Sequence, residues 1–317
     1  MNKINFLKIP LFFTFILNFL ILISPLPSRS EVLFEGYSKV LIGGSHVGYF
    51  VNQYSFDSKK KTFSGIYLLK TNELGGSINE SVKATSNEKL EPLSFQYTSV
   101  NGGKTKVIEG TFKKNKLNLK ITDNGKVSKS TKNIEPGIFL SQFLGYVMLK
   151  SPQGMKTGTK YEYKAIAEED GEITSGIAQI GEIEIFKGLK VYKILNEFKG
   201  VQFVSLVTEK GEALSTKSPS QAIETELVNN PKDAIKDFSF SEKNMTLLFG
   251  SVPKGITHSL YESTASAATT STPLPTQTPS AIKEEKSQDS LKLNSNIPPS
   301  KQHGVPGGKG IQLKTGK

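Results

Sequence analysis

Apolar and polar residues alternate with period two over much of this chain, which is the signature of strands with one buried and one wet face. Leu93, Phe95 and Tyr97 fall on one side of a strand, with Ser94, Gln96 and Thr98 on the other. Leu117, Leu119 and Ile121 alternate with Lys116, Asn118 and Lys120. Ile183 and Ile185 alternate with Glu182 and Glu184, and Val201 and Phe203 open another strand that runs on through Val207. Gly43-Gly44, Gly75-Gly76 and Gly102-Gly103 punctuate these runs. Asp123-Asn124-Gly125 and Glu209-Lys210-Gly211 have the composition of tight hairpin turns, where glycine supplies a positive φ. Strands joined by such short turns predict an antiparallel meander.

Two segments break the alternation. From about Pro136 to Lys150 the pattern predicts a helix, with Pro136 at its first position, Lys150 in its last turn and Pro152 blocking continuation. Ile138, Phe139, Leu140, Phe143, Leu144, Tyr146, Val147, Met148 and Leu149 cover nearly its whole circumference, so it is expected to be buried on most sides. A second, short helix is expected where Asn230 caps, Pro231 opens and Asp233 sits in the first turn. The predicted fold class is therefore mainly β. A curved antiparallel sheet forms a half-barrel wrapped on one apolar helix, with a short second helix beside it.

The two ends of the chain read differently. Lys3 and Lys8 precede an apolar run from Leu11 to Ile23, followed by SPLP and Ser28-Arg29-Ser30. That order is a secretory signal, residues 1–30, with the cut between Ser30 and Glu31. The run is shorter than the roughly 20 residues of a spanning helix. An uncleaved anchor is the alternative, and it leaves the same domain on the same side of the membrane. Residues 31–251 read as one β-rich half-barrel domain. Residues 252–317, rich in Ser, Thr, Pro and Lys, hold too little apolar surface to offset chain entropy and are expected to be disordered. The expected address is the periplasm.

Composition narrows the chemistry. There is no Cys, so there are no disulfides, no thiolate nucleophile and no N-terminal lipid attachment; there is no Trp, while 19 Phe and 10 Tyr can anchor a core. The formal charge is +11, falling to about +8 once Lys3, Lys8 and Arg29 are removed. A basic surface suits anionic lipid, cell-wall polymer or nucleic acid. No basic helix or aromatic-basic motif is present, so no nucleic-acid partner is expected. The basic tail is a candidate for peripheral membrane or cell-wall contact, or else a passive, protease-sensitive extension.

Five segments occur in an order that resembles a group of exported proteobacterial proteins of unknown function. They are Gly44-Ser45-His46-Val47-Gly48-Tyr49, Leu90-Glu91-Pro92-Leu93-Ser94-Phe95, Gly154-Met155-Lys156-Thr157-Gly158-Thr159-Lys160-Tyr161, Gly188-Leu189-Lys190-Val191-Tyr192 and Thr208-Glu209-Lys210-Gly211-Glu212-Ala213-Leu214. The resemblance covers about Val32 to Val228. It is similar in layout to the half-barrel carriers and sorting factors of outer-membrane lipoproteins, and to β-domains that precede transglutaminase-like domains. It implies a half-barrel and an envelope location, and it supplies no catalytic residues.

Candidate sites are few. The only histidines are His46 beside a glycine turn, His258 at the domain's expected end and His303 in the tail, and there is no G-x-S-x-G. No nucleophile–base pair and no hydrolase motif is recognisable. Glu168-Glu169-Asp170 reads as an acidic hairpin turn rather than a calcium loop, and Glu182 and Glu184 read as solvated glutamates. No catalytic residue, metal site, cofactor or oligomeric state is specified. The apolar helix has two readings: plain core, or a plug over a cavity for a lipid-like ligand lined by Phe139, Phe143, Tyr146 and Met148. The expected function is a non-enzymatic periplasmic envelope protein that binds a lipid or other apolar ligand. The alternative is a protein-interaction module whose sheet edge or tail engages an envelope protein.

Overall fold

The alternating segments do become strands, and they pair almost entirely with their neighbours in sequence. The computed structural model describes residues 30–269; the signal-like segment ahead of them and the tail beyond lie outside the described residues. The first half holds β1 (Glu31–Ile42), β2 (Ser45–Asp57), β3 (Thr62–Thr71), β4 (Asn79–Asn87), β5 (Pro92–Asn101), β6 (Lys104–Lys113), β7 (Lys116–Asp123) and β8 (Lys126–Asn133). The second holds β9 (Phe139–Leu140), β10 (Lys160–Ala167), β11 (Glu172–Phe186), β12 (Leu189–Phe198), β13 (Val201–Thr208), β14 (Ala213–Ser218) and β15 (Ile223–Val228). They form a 15-stranded sheet in the order β8 to β1, then β15 to β9. Every pairing is antiparallel except β9 with β10. Turn chemistry sets the hairpins: Asn124 and Gly125 both take positive φ, 46° and 82°, as the β7–β8 turn requires.

The two halves are joined edge to edge by β1 and β15, with Tyr37 opposite Val228 and Ile42 opposite Ile223. The opposite edges, β8 and β9, are joined by only the residues between Asn133 and Phe139, so the sheet must curl until they approach. Lys106 and Lys132 of the first half donate to the Glu169 and Gly171 carbonyls of the β10–β11 turn, at 3.1 and 3.0 Å. The result is a barrel-like wall around an interior filled by the segment that follows β9.

That segment departs from the expected helix. Phe139 and Leu140 pair as a short strand with Ala165 and Ile166, Ser141–Phe143 make one 3₁₀ turn, and only α1 (Leu144–Lys150) is α-helical. Backbone groups at the inner edge of β10 need partners, and residues 139–140 supply them. Ile138, Leu140 and Phe143 then pack against Val82, Phe95, Ile108, Leu117 and Ile166, residues of both halves of the sheet. The expected burial holds for Ile138, Phe139, Leu140 and Phe143; within α1 only Met148 is buried, and the expected helical length is corrected.

The first half is covered on its outer face as well. α2 (Pro231–Ile235) is the expected short helix, with Asn230 Oδ1 accepting from Lys232 N–H at 3.0 Å. α3 (Glu242–Phe249) follows, capped by Ser241. Ala234, Met245 and Phe249 bury Tyr37, Tyr49 and Val51 from outside. Strand β2 is thus covered on both faces, which a simple wet/dry alternation does not anticipate. Conversely, Leu93 and the Ile183/Ile185 pair are exposed, Ile185 by 73 %. At the end of the β11–β12 hairpin Phe186 and Leu189 pack on a buried cluster, and Ile183 and Ile185 alternate with them onto the uncovered face.

The boundary expected at residue 251 is also corrected. Thr257 bridges Glu35 in antiparallel fashion, and α4 (Ser259–Thr269) follows. Leu260 joins Phe34, Val191, Leu214 and Leu227 in one buried cluster. His258, expected at a ragged end, is 1 % exposed. The β1 and β14 positions under this segment need a cover, and Val252–Leu260 provides it. Among the described residues no helix is long and apolar enough to cross a membrane.

Candidate binding cavity beside the central helix

Helix α1 is held against the sheet by small and polar residues. Gly145 lies where a Cβ would come within 3.2 Å of the Gly211 carbonyl oxygen, and a Cβ on Gly211 would sit 2.6 Å from Leu149. The absence of side chains at both positions lets the β13–β14 turn ride directly on the helix. The Tyr54 hydroxyl donates to the Gln142 carbonyl at 2.8 Å, fixing the preceding 3₁₀ turn to β2. From the other side, Ser141 donates its hydroxyl to Glu168 at 2.6 Å, and Gln142 N–H approaches the same carboxyl at 3.4 Å.

Glu168 is the residue the sequence reading misjudged most. Glu169 and Asp170 behave as a surface acidic turn and both pair with Lys199. Glu168, by contrast, is buried, and burial pushes its carboxyl up to about 7 although the bonds from Ser141 and Gln142 oppose the rise. The acid stands at the start of the helical segment, where a negative charge is favoured.

The space left around α1 is divided in two. On one side, between the helix and the β12–β13 region, lies a cavity of about 160 Å³. Its apolar wall is formed by Phe34, Leu144, Tyr146, Met148, Ile194 and Val207. Tyr54 and Tyr146 meet edge-on at 5.1 Å, and Phe34 lies 6.3 Å from Tyr54. On the other side a cleft of about 300 Å³ runs along β10, with Phe139, Tyr163, Leu144 and Met148 among its walls.

The polar lining of the inner cavity is unusual. The side-chain amide of Gln142 is buried with neither its oxygen nor its nitrogen hydrogen-bonded, and Asn52 Oδ1 is likewise unpaired. The Gln142 amide lies over Gly65, whose missing side chain makes room for it: a Cβ there would be 2.9 Å from Gln142 Oε1. Each such group costs about 1–3 kcal/mol when left unsatisfied. Other polar groups at the same wall are satisfied. Asn196 accepts from Tyr163 at 2.7 Å, and Ser205 and Thr216 share a bond of 2.9 Å. Glu212 completes the lining; its carboxylate accepts from Thr208 Oγ at 3.0 Å and from Ser259 N–H at 3.2 Å. The Val252–Leu260 segment therefore reaches the cavity wall.

Of the four residues expected to line a cavity, Tyr146 and Met148 border this one, Phe139 borders the outer cleft together with Met148, and Phe143 is fully buried against Tyr54. Asn52, Gln142 and Glu212 were not anticipated. A signal for the first was present: Asn52, with Gln53, interrupts a long apolar stretch between Val51 and Tyr54. A third space, about 300 Å³ on the outer face under α3, carries Lys70 and Lys83. Both ammonium groups are already bonded, to Ser239 and to the Leu247 carbonyl. Among the described residues no three His, Asp or Glu side chains converge as a metal site.

Together the wall and its contents define a barrel-like, mainly antiparallel β-domain with an internal helix and a small cavity beside it. No family model matches the chain, and no curated protein matches it. Among solved structures, it is similar to a beta-barrel-like protein of a domain of unknown function, DUF1849, from Brucella abortus. That match has 10 % identity and a TM-score of 0.41, and covers 63 % of this chain and 98 % of that one.

Proposed function

We propose that this is a non-enzymatic binding protein of the bacterial cell envelope that holds a small ligand between its central helix and the sheet. The observation that carries the reading is the buried, unpaired side-chain amide of Gln142 together with the unpaired Asn52 Oδ1, on two residues that both line the cavity. Polar atoms are rarely left so in a folded core, and an apolar pocket with a few convergent polar groups is the usual form of a small-molecule site. The signal-like N-terminus and the resemblance to exported proteins of unknown function support a periplasmic address.

The volume refines the expected ligand. A cavity of about 150 Å³ takes up benzene, whereas drug-sized ligands occupy roughly 300–1,000 Å³. A cavity of about 160 Å³ suits a molecule near the smaller size, so a lipid acyl chain gives way to a compact ligand. The alternative, a partner protein added at the sheet edge, has less support. β8 is that edge, and it carries exposed Lys126 and Lys129, a composition that discourages strand addition.

Native mass spectrometry of the protein purified from the periplasm of its own organism tests the reading. A bound species of low mass is expected. If the protein is found in the cytosol, or if it carries no adduct and a crystal structure shows ordered waters bonding Gln142 and Asn52, the proposal fails.

A further inference from the structure

Resting on that reading, we infer that the ligand is a small organic ammonium compound, a protonated amine on a compact apolar body, bound among Asn52, Gln142 and Glu212. The charge of the wall is the first argument. Glu212 is the one carboxylate lining the cavity, and no Lys, Arg or His lines it. The hydrogen bonds that Glu212 receives come from a neutral hydroxyl and a backbone N–H, and the nearby Lys210 ammonium lies outside the lining and is paired with Glu262 at 2.9 Å. An anionic ligand would be repelled by the Glu212 carboxylate, while a cation is attracted to it.

Hydrogen-bond capacity is the second. Two residues of the lining carry unpaired acceptors, Asn52 Oδ1 and Gln142 Oε1, with a single unpaired donor group at Gln142 Nε2. The N–H groups of an ammonium satisfy the two acceptors, and bonds to a charged donor are the stronger kind; the Gln142 Nε2 donor is not served by that group. Phe34, Tyr54 and Tyr146 add an aromatic wall, and the faces of such rings attract cations. Burial pushes the Tyr54 and Tyr146 phenols upward, Tyr54 to about 12, so both rings stay neutral. The apolar remainder of the ligand fits the Leu144, Met148, Ile194 and Val207 side of the wall.

The test uses the full mature chain and four probes of similar size: benzene, benzyl alcohol, benzylamine and benzoate, titrated by calorimetry at neutral pH and followed by NMR. Benzylamine is expected to bind at least about tenfold more tightly than benzyl alcohol, with benzoate not binding, as a charged hydrogen bond implies. Gln142→Met and Asn52→Leu are each expected to weaken benzylamine about tenfold while leaving benzene uptake intact, which also shows that the variants fold. Glu212→Gln is expected to abolish the preference of amine over alcohol. If benzyl alcohol or benzoate matches benzylamine, the ammonium inference is overturned and the binding reading stands. If none of the four enters, both are overturned.

Discussion

The Ser141 hydroxyl donates to Glu168 Oε2 at 2.6 Å, tying the start of the internal helical segment to the β10–β11 turn. The bond joins two elements that both sit at the seam where the curled sheet nearly meets itself. It also places an ionisable group inside the core, which makes the seam sensitive to pH.

In the unfolded chain a glutamate ionises near 4.5, and in the folded protein Glu168 does so at about 7. Between these values the folded state keeps a proton that the unfolded state has released. Its contribution to stability is therefore full below about 4.5 and is lost as pH rises through about 7. The whole effect is of order 3 kcal/mol at most. Urea unfolding at a series of pH values should show Glu168→Gln gaining on the wild type as pH rises across this window. A constant difference between the two proteins would contradict it.

His258 acts in the opposite sense. Its Nε2 meets the Gly255 carbonyl at 3.0 Å and its Nδ1 accepts from Tyr261 N–H at 3.1 Å. That pairing fits a neutral ring protonated on Nε2, and burial lowers its affinity for a second proton. Its stabilising share is present above about 6.5 and is lost as pH falls through its lowered folded value. An NMR titration should find the His258 ring still neutral at pH values just below about 6.5, where an unperturbed histidine is already largely charged.

Ending the chain after Ser251 removes the residues that cover Glu35, Phe34 and Leu214. Glu35 accepts from Gly255 N–H at 2.8 Å and from Lys254 N–H, and the Tyr37 hydroxyl donates to the Pro253 carbonyl at 3.0 Å. Loss of one buried bond to a charged group costs about 1.5–3 kcal/mol, so a chain of residues 31–251 should be several kcal/mol less stable than one of residues 31–269. Chemical denaturation of the two compares them directly; equal midpoints would place the true domain boundary at 251.

Gln142→Met should raise the stability of the ligand-free protein by about 1–2 kcal/mol, because it replaces an unsatisfied buried amide with an apolar chain of similar length. The same change weakens ligand binding. A gain in melting temperature together with a loss of affinity is the pattern expected of a site kept for function.

Phe95 lies over Gly110, its pair across β5 and β6, and a Cβ at that position would fall 2.0 Å from the ring. Gly110→Ala should therefore displace Phe95 from the core at a cost of about 1–3 kcal/mol. Combining it with Phe95→Leu should recover part of the loss in thermal unfolding; strictly additive losses would mean that the two positions do not share space.

The alternation of apolar and polar residues, the Asn124-Gly125 turn and the Asn230-Pro231 helix start were legible in the sequence because each is a local matter of backbone preference and side-chain period. So was the existence of an apolar plug, since a segment with hydrophobic residues on every side has to be surrounded. The length of its helix was not legible: whether Phe139 and Leu140 coil or extend depends on the free edge of β10, whose pairing residues Ala165 and Ile166 lie far along the chain. Tyr146 and Met148 border a cavity, and the polar residues that give that cavity its character were not legible, because burial of a single Asn or Gln leaves no periodic trace.

The sequence by itself determined the strands, most of their turns and the order in which neighbours pair, since short connections leave each strand one accessible partner. Only the tertiary structure decided that β1 joins β15 to make one curled sheet, that 252–260 belongs to the fold, and that Glu168 and Gln142 are inside it. Those outcomes follow from long-range closure: once the sheet bends around residues 138–150, every group on its inner face is removed from water together, whatever its local preference.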